Sequence, residues 1–213
     1  PNNPEYWVTR IEASAHFPGT AYLSFNGMRR DDFKAFLYKT TDFGKTWTSI
    51  AAGIPDGAVN VIREDHKNPN LLFVGTELGT FASMDGGQNW TKFMTNMPTN
   101  PAYDMVIHPR ENELVVATHG RGIFIADISP LQGMNDMTMQ SGLTLFDIQP
   151  AVQWMAGPPQ TVSAYTNFGG DSKAPGSHLH FYAKNGGKAT VKVYRGAKQI
   201  FTREISAKAG LNH

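Results

Sequence analysis

Cysteine is absent from the 213-residue chain, which removes disulfides, thiolate nucleophiles and Cys-ligated metals together. Neither sign of charge is in excess: 19 Lys and Arg face 18 Asp and Glu, for a net charge of +1. No basic run exceeds two residues, so neither a nucleic-acid groove nor a polyanion partner is expected. Long apolar runs are missing as well. Leu71-Leu72-Phe73-Val74 and Leu114-Val115-Val116-Ala117 are far too short to span a bilayer. No phosphate loop, zinc motif or Ser-His-Asp spacing occurs, and no cofactor or metal is expected. His178 and His180 alternate onto one strand face without a third ligand, and His108 before Pro109 reads as structural. Pro1 opens no signal peptide, so any targeting segment is expected to have been removed or to lie outside the chain.

Glycine (21) and proline (13) are plentiful between short β-branched and aromatic runs, which predicts an all-β protein. Two stretches index the chain. Thr40-Thr41-Asp42-Phe43-Gly44-Lys45-Thr46-Trp47 and Ser83-Met84-Asp85-Gly86-Gly87-Gln88-Asn89-Trp90 both read S/T-x-D-x-G-x-x-W. Their tryptophans lie about 43 positions apart, the period of a four-stranded propeller blade. The Asp can accept from backbone N–H groups of its own turn, and the Trp starts the next strand with a large apolar surface. Thr40, Asp42, Gly44, Trp47, Ser83, Asp85, Gly87 and Trp90 are therefore read as structural clasps rather than chemistry.

Around them strands repeat. First strands are expected at Val8–Glu12, Val59–Glu64 and Tyr103–Ile107, second strands at Thr20–Phe25, Leu71–Thr76 and Glu113–Thr118, and third strands at Phe36–Thr40, Thr80–Ser83 and Ile123–Asp127. Fourth strands begin at Trp47 and Trp90. The first unit carries an excess of polar sequence, Asn26–Lys34, expected as an inserted loop. The reading is a partial β-propeller of about three four-stranded blades over residues 1–131. A linker follows at 132–142. An incomplete immunoglobulin-like β-sandwich is expected at 143–213, with strands at Leu143–Asp147, His178–Lys184, Thr190–Arg195 and Gln199–Ser206, a polar loop at Thr166–Ser177 and a hairpin turn at Gly196. The chain is expected to end on a turn with no further strand. Both domains read as truncated, because three blades do not close a ring of about 4–8. The partners expected are the remaining blades, on the same or a cleaved chain.

The two boxes resemble the Asp-box, or bacterial neuraminidase, repeats of sialidases, xyloglucan-cleaving propellers and the sortilin-type receptor propeller. Val8–Ser14, Tyr38–Asp42, Val61–Asp65 and Thr118–Ile123 are similar to the last blades of exported bacterial proteins of the sortilin-like Asp-box group. That resemblance implies a secreted, periplasmic or cell-surface location. It implies a propeller that carries either receptor or glycosyl hydrolase function, since the boxes recur on both.

Strand direction places the second-to-third-strand turns on the face opposite the boxes. On that face the sequence gathers Arg29, Arg30, Asp31, Asp32, Glu77, Tyr103, Asp104, His119 and Arg121. Carboxylates, guanidinium groups and an aromatic suit a glycan or peptide ligand. Glycoside hydrolysis needs two opposed carboxyl groups, which Asp31, Asp32, Glu77 and Asp104 could supply without the sequence fixing a pair, so catalytic residues stay unassigned. Arg10, Arg63, Arg110 and Arg121 do not form a sialidase-type clamp, and Arg10-Ile11 is followed by Glu12 rather than proline. The leading expectation is a binding module. A glycoside hydrolase and a structural subunit of a surface assembly are the alternatives.

Overall fold

A computed structural model describes residues 5–94, 96–151 and 176–213. The chain divides into two compact units, Pro1–Asn135 and Asp136–His213. Among the described residues no helix is long and apolar enough to cross a membrane.

The first unit is three consecutive antiparallel meanders. β1 (Trp7–Ala13), β2 (Ala21–Gly27), β3 (Asp32–Thr40) and β4 (Thr48–Ser49) pair in chain order. So do β5 (Val59–Glu64), β6 (Leu72–Thr76), β7 (Gly79–Ser83) and β8 (Thr91–Phe93). β9 (Ala102–His108), β10 (Glu113–Thr118) and β11 (Ile123–Asp127) make a three-stranded third sheet, followed by a one-turn helix, α1 (Ser129–Gln132). Consecutive sheets pack on one another through two cores. One core joins Tyr22 and Leu37 of the first sheet to Val59, Ile62, Val74 and Phe81 of the second. A second joins Val61 and Phe73 to Met105, Leu114 and Val116 of the third. In the middle sheet β5, β6 and β7 are buried along almost their whole length, with two half-buried residues among them, while the outer strand β8 is exposed, as the near-continuous apolar runs of the inner strands require. At Gly75 a Cβ would sit 2.7 Å from the Ala102 carbonyl and 2.7 Å from Val61 Cγ1. Only glycine admits this approach of the third sheet to the second.

The first meander differs from the expected inserted loop. β2 runs on to Gly27 and β3 begins at Asp32, with Gly27 paired to Asp32 across a bulge. Asn26–Lys34 is therefore a lengthened hairpin closed by a 3-10 turn at Met28–Arg30. Asp31 takes a left-handed conformation (φ 56) and its N–H returns to the Met28 carbonyl. Phe33 and Phe36 supply the strand-forming residues that let pairing continue where polarity alone suggested a loop.

Both S/T-x-D-x-G-x-x-W turns close on their own side chains. Asp42 Oδ1 accepts from Thr46 N–H (2.9 Å) and from Thr40 Oγ1 (2.8 Å), while Gly44 N–H donates to Thr40 Oγ1 (3.0 Å). Asp85 Oδ1 accepts from the N–H groups of Gln88 and Asn89 (both 2.9 Å) and from Ser83 Oγ (2.7 Å), and Gly87 N–H donates to Ser83 Oγ (2.9 Å). The bonds to Thr46, above all, hold the Asp42 carboxyl down at about 2; at Asp85 desolvation is the largest single influence and acts upward, but the bonds from Asn89, Ser83 and Gln88 together outweigh it and lower the carboxyl. The tryptophans differ. Trp90 is buried and donates to the Ile50 carbonyl in the preceding meander (2.7 Å), whereas half-buried Trp47 donates only to Gly44 within its own turn (3.0 Å).

At the same end, two successive carboxylates leave β5 in different directions. Glu64, buried and without a cationic partner among the described residues, accepts from Ser14 Oγ (2.9 Å), Ala15 N–H (2.8 Å) and Tyr22 Oη (2.9 Å) in the first meander. Burial, with Glu64 alongside, pushes the Tyr22 hydroxyl up. Fully buried Asp65 accepts from Lys67 and Asn68 N–H and, across to α1, from Gln132 Nε2 (2.7 Å).

In the second unit a short helix, α2 (Asp136–Gln140), lies in the stretch read as a linker. β12 (Leu143–Leu145) and β16 (Gly210–Asn212) flank β13 (Phe181–Ala183), and β14 (Gly187–Arg195) pairs with β15 (Lys198–Ala207). The chain thus ends in a strand, not on a bare turn. Asn212 makes this possible by bonding Lys208 N–H and the Lys208 and Gly210 carbonyls, which folds β16 back. Gly196 (φ 58) does sit in the two-residue turn of the β14–β15 hairpin. That hairpin is more exposed than its alternation suggested, and Val193 is 39% accessible. His178 and His180 precede β13 rather than sharing its face. All but Gly176 and Ser177 of the polar loop at Thr166–Ser177 lies outside the described residues. The described strands form a three-stranded and a two-stranded sheet.

Ser83→Ala leaves the buried Gly87 N–H without its acceptor. It is expected to lower stability by about 1–3 kcal/mol, read as a shift in urea midpoint at constant slope, while Ser83→Thr keeps most of it because the other turn uses Thr40. Since folding depresses Asp42 and Asp85, their contribution is complete above the usual carboxylate range and drains away as pH falls below it, for Asp42 toward about 2. The urea midpoint of the parent chain should therefore drop between about pH 4 and 2, and Asp42→Asn with Asp85→Asn should flatten that drop.

Candidate functional site

The end of the first unit opposite the S/T-x-D-x-G-x-x-W turns carries the β2–β3, β6–β7 and β10–β11 connections and the starts of β1, β5 and β9, as the antiparallel registers dictate. The nine residues expected there fall into local groups. At the β2–β3 tip, Arg29 lies over the Trp7 ring at 3.9 Å and Arg30 faces Glu5 at 3.5 Å. Asp31 is the left-handed turn residue, and Asp32 accepts from Tyr6 Oη at 2.7 Å. That bond, with a second from Lys34 N–H, lowers the Asp32 carboxyl and raises the Tyr6 hydroxyl. In the β6–β7 turn, Glu77 Oε1 accepts from Asn60 Nδ2 (3.0 Å). In the third meander the Tyr103 and His119 rings lie 5.3 Å apart, and Asn100 Nδ2 donates to the His119 carbonyl. Arg121 projects between Gly120 (φ 76) and Gly122 (φ 84), where a Cβ would meet nothing within 4 Å. Among the described residues Arg121 enters no ion pair, and no hydrogen bond or ion pair joins the hairpin-tip group to Glu77, Tyr103 or His119.

Asp104 stands apart from this loop set. Its Oδ1 takes the Arg10 Nη2 donor from β1 and lies 3.3 Å from Arg63 Nη2 of β5. Arg63 also donates from Nη1 to Glu12 Oε2 (2.7 Å) and from Nε to the Met105 carbonyl (2.6 Å). One network thus crosses the first strands of all three meanders. Burial, more than any other influence, pushes the Glu12 carboxyl up, against the pull of Arg63. The sequence reading treated Arg10 and Arg63 only as failed members of a clamp, and Glu12 only as the residue replacing a proline. The available signal was positional: each is a charged side chain next to an apolar residue in the first strand of its meander.

No protein-family model and no curated protein matches the chain. Solved structures similar to part of it include the GH74 enzyme of Niastella koreensis, at 19% identity over 56% of this chain and 21% of that one, with a TM-score of 0.46. The GH74 xyloglucanase from Xanthomonas campestris gives 14% identity over 55% and 20%, with a TM-score of 0.44. YCF48 bound to D1 peptide gives 12% identity over 70% and 60%, with a TM-score of 0.35. The chain spans about a fifth of the length of these two GH74 enzymes.

Arg63→Met strips the part-buried Glu12 of its cation and the Met105 carbonyl of a donor. It is expected to cost roughly 1–3 kcal/mol, less than a fully buried pair because Glu12 keeps some solvent. Arg10→Met, at a more exposed pair, should cost under about 1 kcal/mol. Thermal unfolding of both variants checks the order, and equal losses would remove Arg63 from its place at the centre of the network.

Proposed function

We propose that the chain is an extracytoplasmic propeller module of Asp-box type. It binds a polar ligand, a glycan or a peptide, at the end bearing the β2–β3, β6–β7 and β10–β11 turns. The observation that carries the reading is the contrast between the two ends of the sheets. At the box end, Asp42, Glu64, Asp65 and Asp85 are committed to hairpin backbones and neighbouring loops. At the other end, Trp7, Arg29, Tyr103, His119 and Arg121 are exposed, and Arg121 has no acidic partner among the described residues. Exposed aromatic faces and a guanidinium group without an acidic partner are what polar-ligand recognition uses.

A second reading, glycoside hydrolysis, is favoured by one residue. Such an enzyme needs a carboxyl raised enough to act as the acid, opposite a second carboxylate. Asp32 is shifted the wrong way, and Asp104 sits under two guanidinium groups. Glu12 moves in the required direction, and Arg63 holds it near Asp104. Binding remains the better supported of the two, because both carboxylates of that pair are already engaged by arginine.

The test is retention on a panel of immobilised neutral and acidic polysaccharides and a random peptide library, alongside release of reducing ends. Binding without reducing-end release is expected, and Arg121→Ala or Arg29→Ala should weaken it about tenfold or more, the scale of one charge-assisted contact. If neither variant alters retention, the loop end is not the site. Reducing-end release that disappears in Glu12→Gln would move the protein to the hydrolase reading.

A further inference from the structure

The β10–β11 turn presents a cation that no other described residue engages. Thr118 closes the turn, its N–H (3.1 Å) and its Oγ1 (2.7 Å) both donating to the Gly122 carbonyl. From outside, His119 N–H donates to the Pro101 carbonyl (3.0 Å) and Asn100 Nδ2 to the His119 carbonyl (2.8 Å). The turn is thereby fastened to the segment that leads into β9. Gly120 and Gly122 take φ 76 and 84, a region in which a side chain is strained, so the Gly-Arg-Gly tip carries Arg121 as its only side chain. That side chain is exposed, with no hydrogen-bond or ion-pair partner among the described residues. Carboxylates of adjoining elements are engaged elsewhere: Glu77 accepts from Asn60, and Asp104 is held by Arg10 and Arg63. The same fastening sets an aromatic pair beside the turn. Tyr103 is 48% accessible, and its ring lies 5.3 Å from that of exposed His119, at 51° to it. The rings are tilted rather than stacked face to face, which leaves aromatic surface for a ligand.

We propose that this tip recognises a uronate unit of an acidic polysaccharide, with Arg121 taking the carboxylate and Tyr103 the face of the sugar ring. Such recognition rests on the binding proposed above for the loop end and gives it a ligand class. A guanidinium fork matches a carboxylate with two parallel N–H···O bonds. A pyranose supplies a C–H surface for an exposed aromatic face. A uronate joins the two groups in one rigid unit, so both are met by a single residue of the polymer. The side chain of an acidic peptide brings its carboxylate on a flexible stem, which offers the ring no face and loses rotamer freedom on binding. A neutral sugar leaves Arg121 unpaired. On the protein side, a turn already fastened at Thr118, His119 and Asn100 has little backbone freedom left to lose.

The experiment is calorimetric titration of the 213-residue chain with polygalacturonate, its carboxyl-reduced form, a neutral β-glucan and polyglutamate. Polygalacturonate is expected to bind more tightly than the other three by about tenfold or more, the scale of one charge-assisted contact. Arg121→Ala should remove that advantage, and Arg121→Lys should restore only part of it because an ammonium lacks the fork. Tyr103→Ala should weaken polygalacturonate by roughly threefold or more, whereas Tyr103→Phe should bind as the parent does. Arg121 has no internal partner to lose, so Arg121→Ala should unfold at the parent's temperature. Equal binding of the carboxyl-reduced polymer, equal binding of polyglutamate, or an Arg121→Ala variant with undiminished affinity for polygalacturonate would each overturn the proposal. Binding of the β-glucan or polyglutamate in place of polygalacturonate overturns the uronate assignment and leaves binding at the loop end standing. No binding to these four or to the wider panel overturns both.

Discussion

Burial of the second sheet on both of its faces is the interaction on which the first unit depends. A four-stranded meander with one apolar face can shed the other into water, but β5 and β6 have no polar face to shed. Such a sheet is stable only between two others. The first and third meanders are held by this requirement, and Gly75 sets how near the third one comes. The polar groups follow from the same geometry. Once the sheets stack, the first strands lie side by side, and charges at adjoining positions on β1, β5 and β9 have to meet. Arg63 is central because β5 is the middle strand of the three.

The two ends of the sheets show how the same residue types are used differently. Aspartates at the box end sit next to backbone N–H groups of tight turns and are consumed there. Charges at the opposite end sit on shorter connections with aromatic neighbours, where they pair with side chains rather than with their own turn's backbone, and Arg121 enters no ion pair among the described residues. The difference lies in local hydrogen-bond supply rather than composition.

The repeat was legible in the sequence because its signals are local. Thr40 to Trp47 and Ser83 to Trp90 specify a turn with no help from elsewhere, and β5, β6 and β10 are apolar enough to be read as strands. The β2–β3 hairpin was misjudged because Arg29 to Asp32 look like loop, while pairing from Gly27 to Asp32 depends on Phe33 and Phe36 continuing the ladder. The Arg10–Asp104–Arg63–Glu12 network was illegible for a different reason. Its partners are 41 to 94 positions apart, and which charges face each other follows from sheet stacking, not from spacing. Tyr6 and Trp7 escaped notice as companions of Asp32 and Arg29 for the same cause. In the second unit, β16 was missed because the strand is held by side-chain bonds of Asn212 rather than by a period-2 pattern.

Glu64 and Asp65, adjacent in the chain, reach partners 42 to 67 positions away on either side. The hairpins of each meander close over a few residues, at little loop entropy, whereas these two carboxylates gain their partners only after long loops have been closed. Order of assembly is therefore written into one dipeptide. Strand pairing within each meander is available early and independently, and the join between meanders is a late, non-local event, the kind that slows folding as contact order rises.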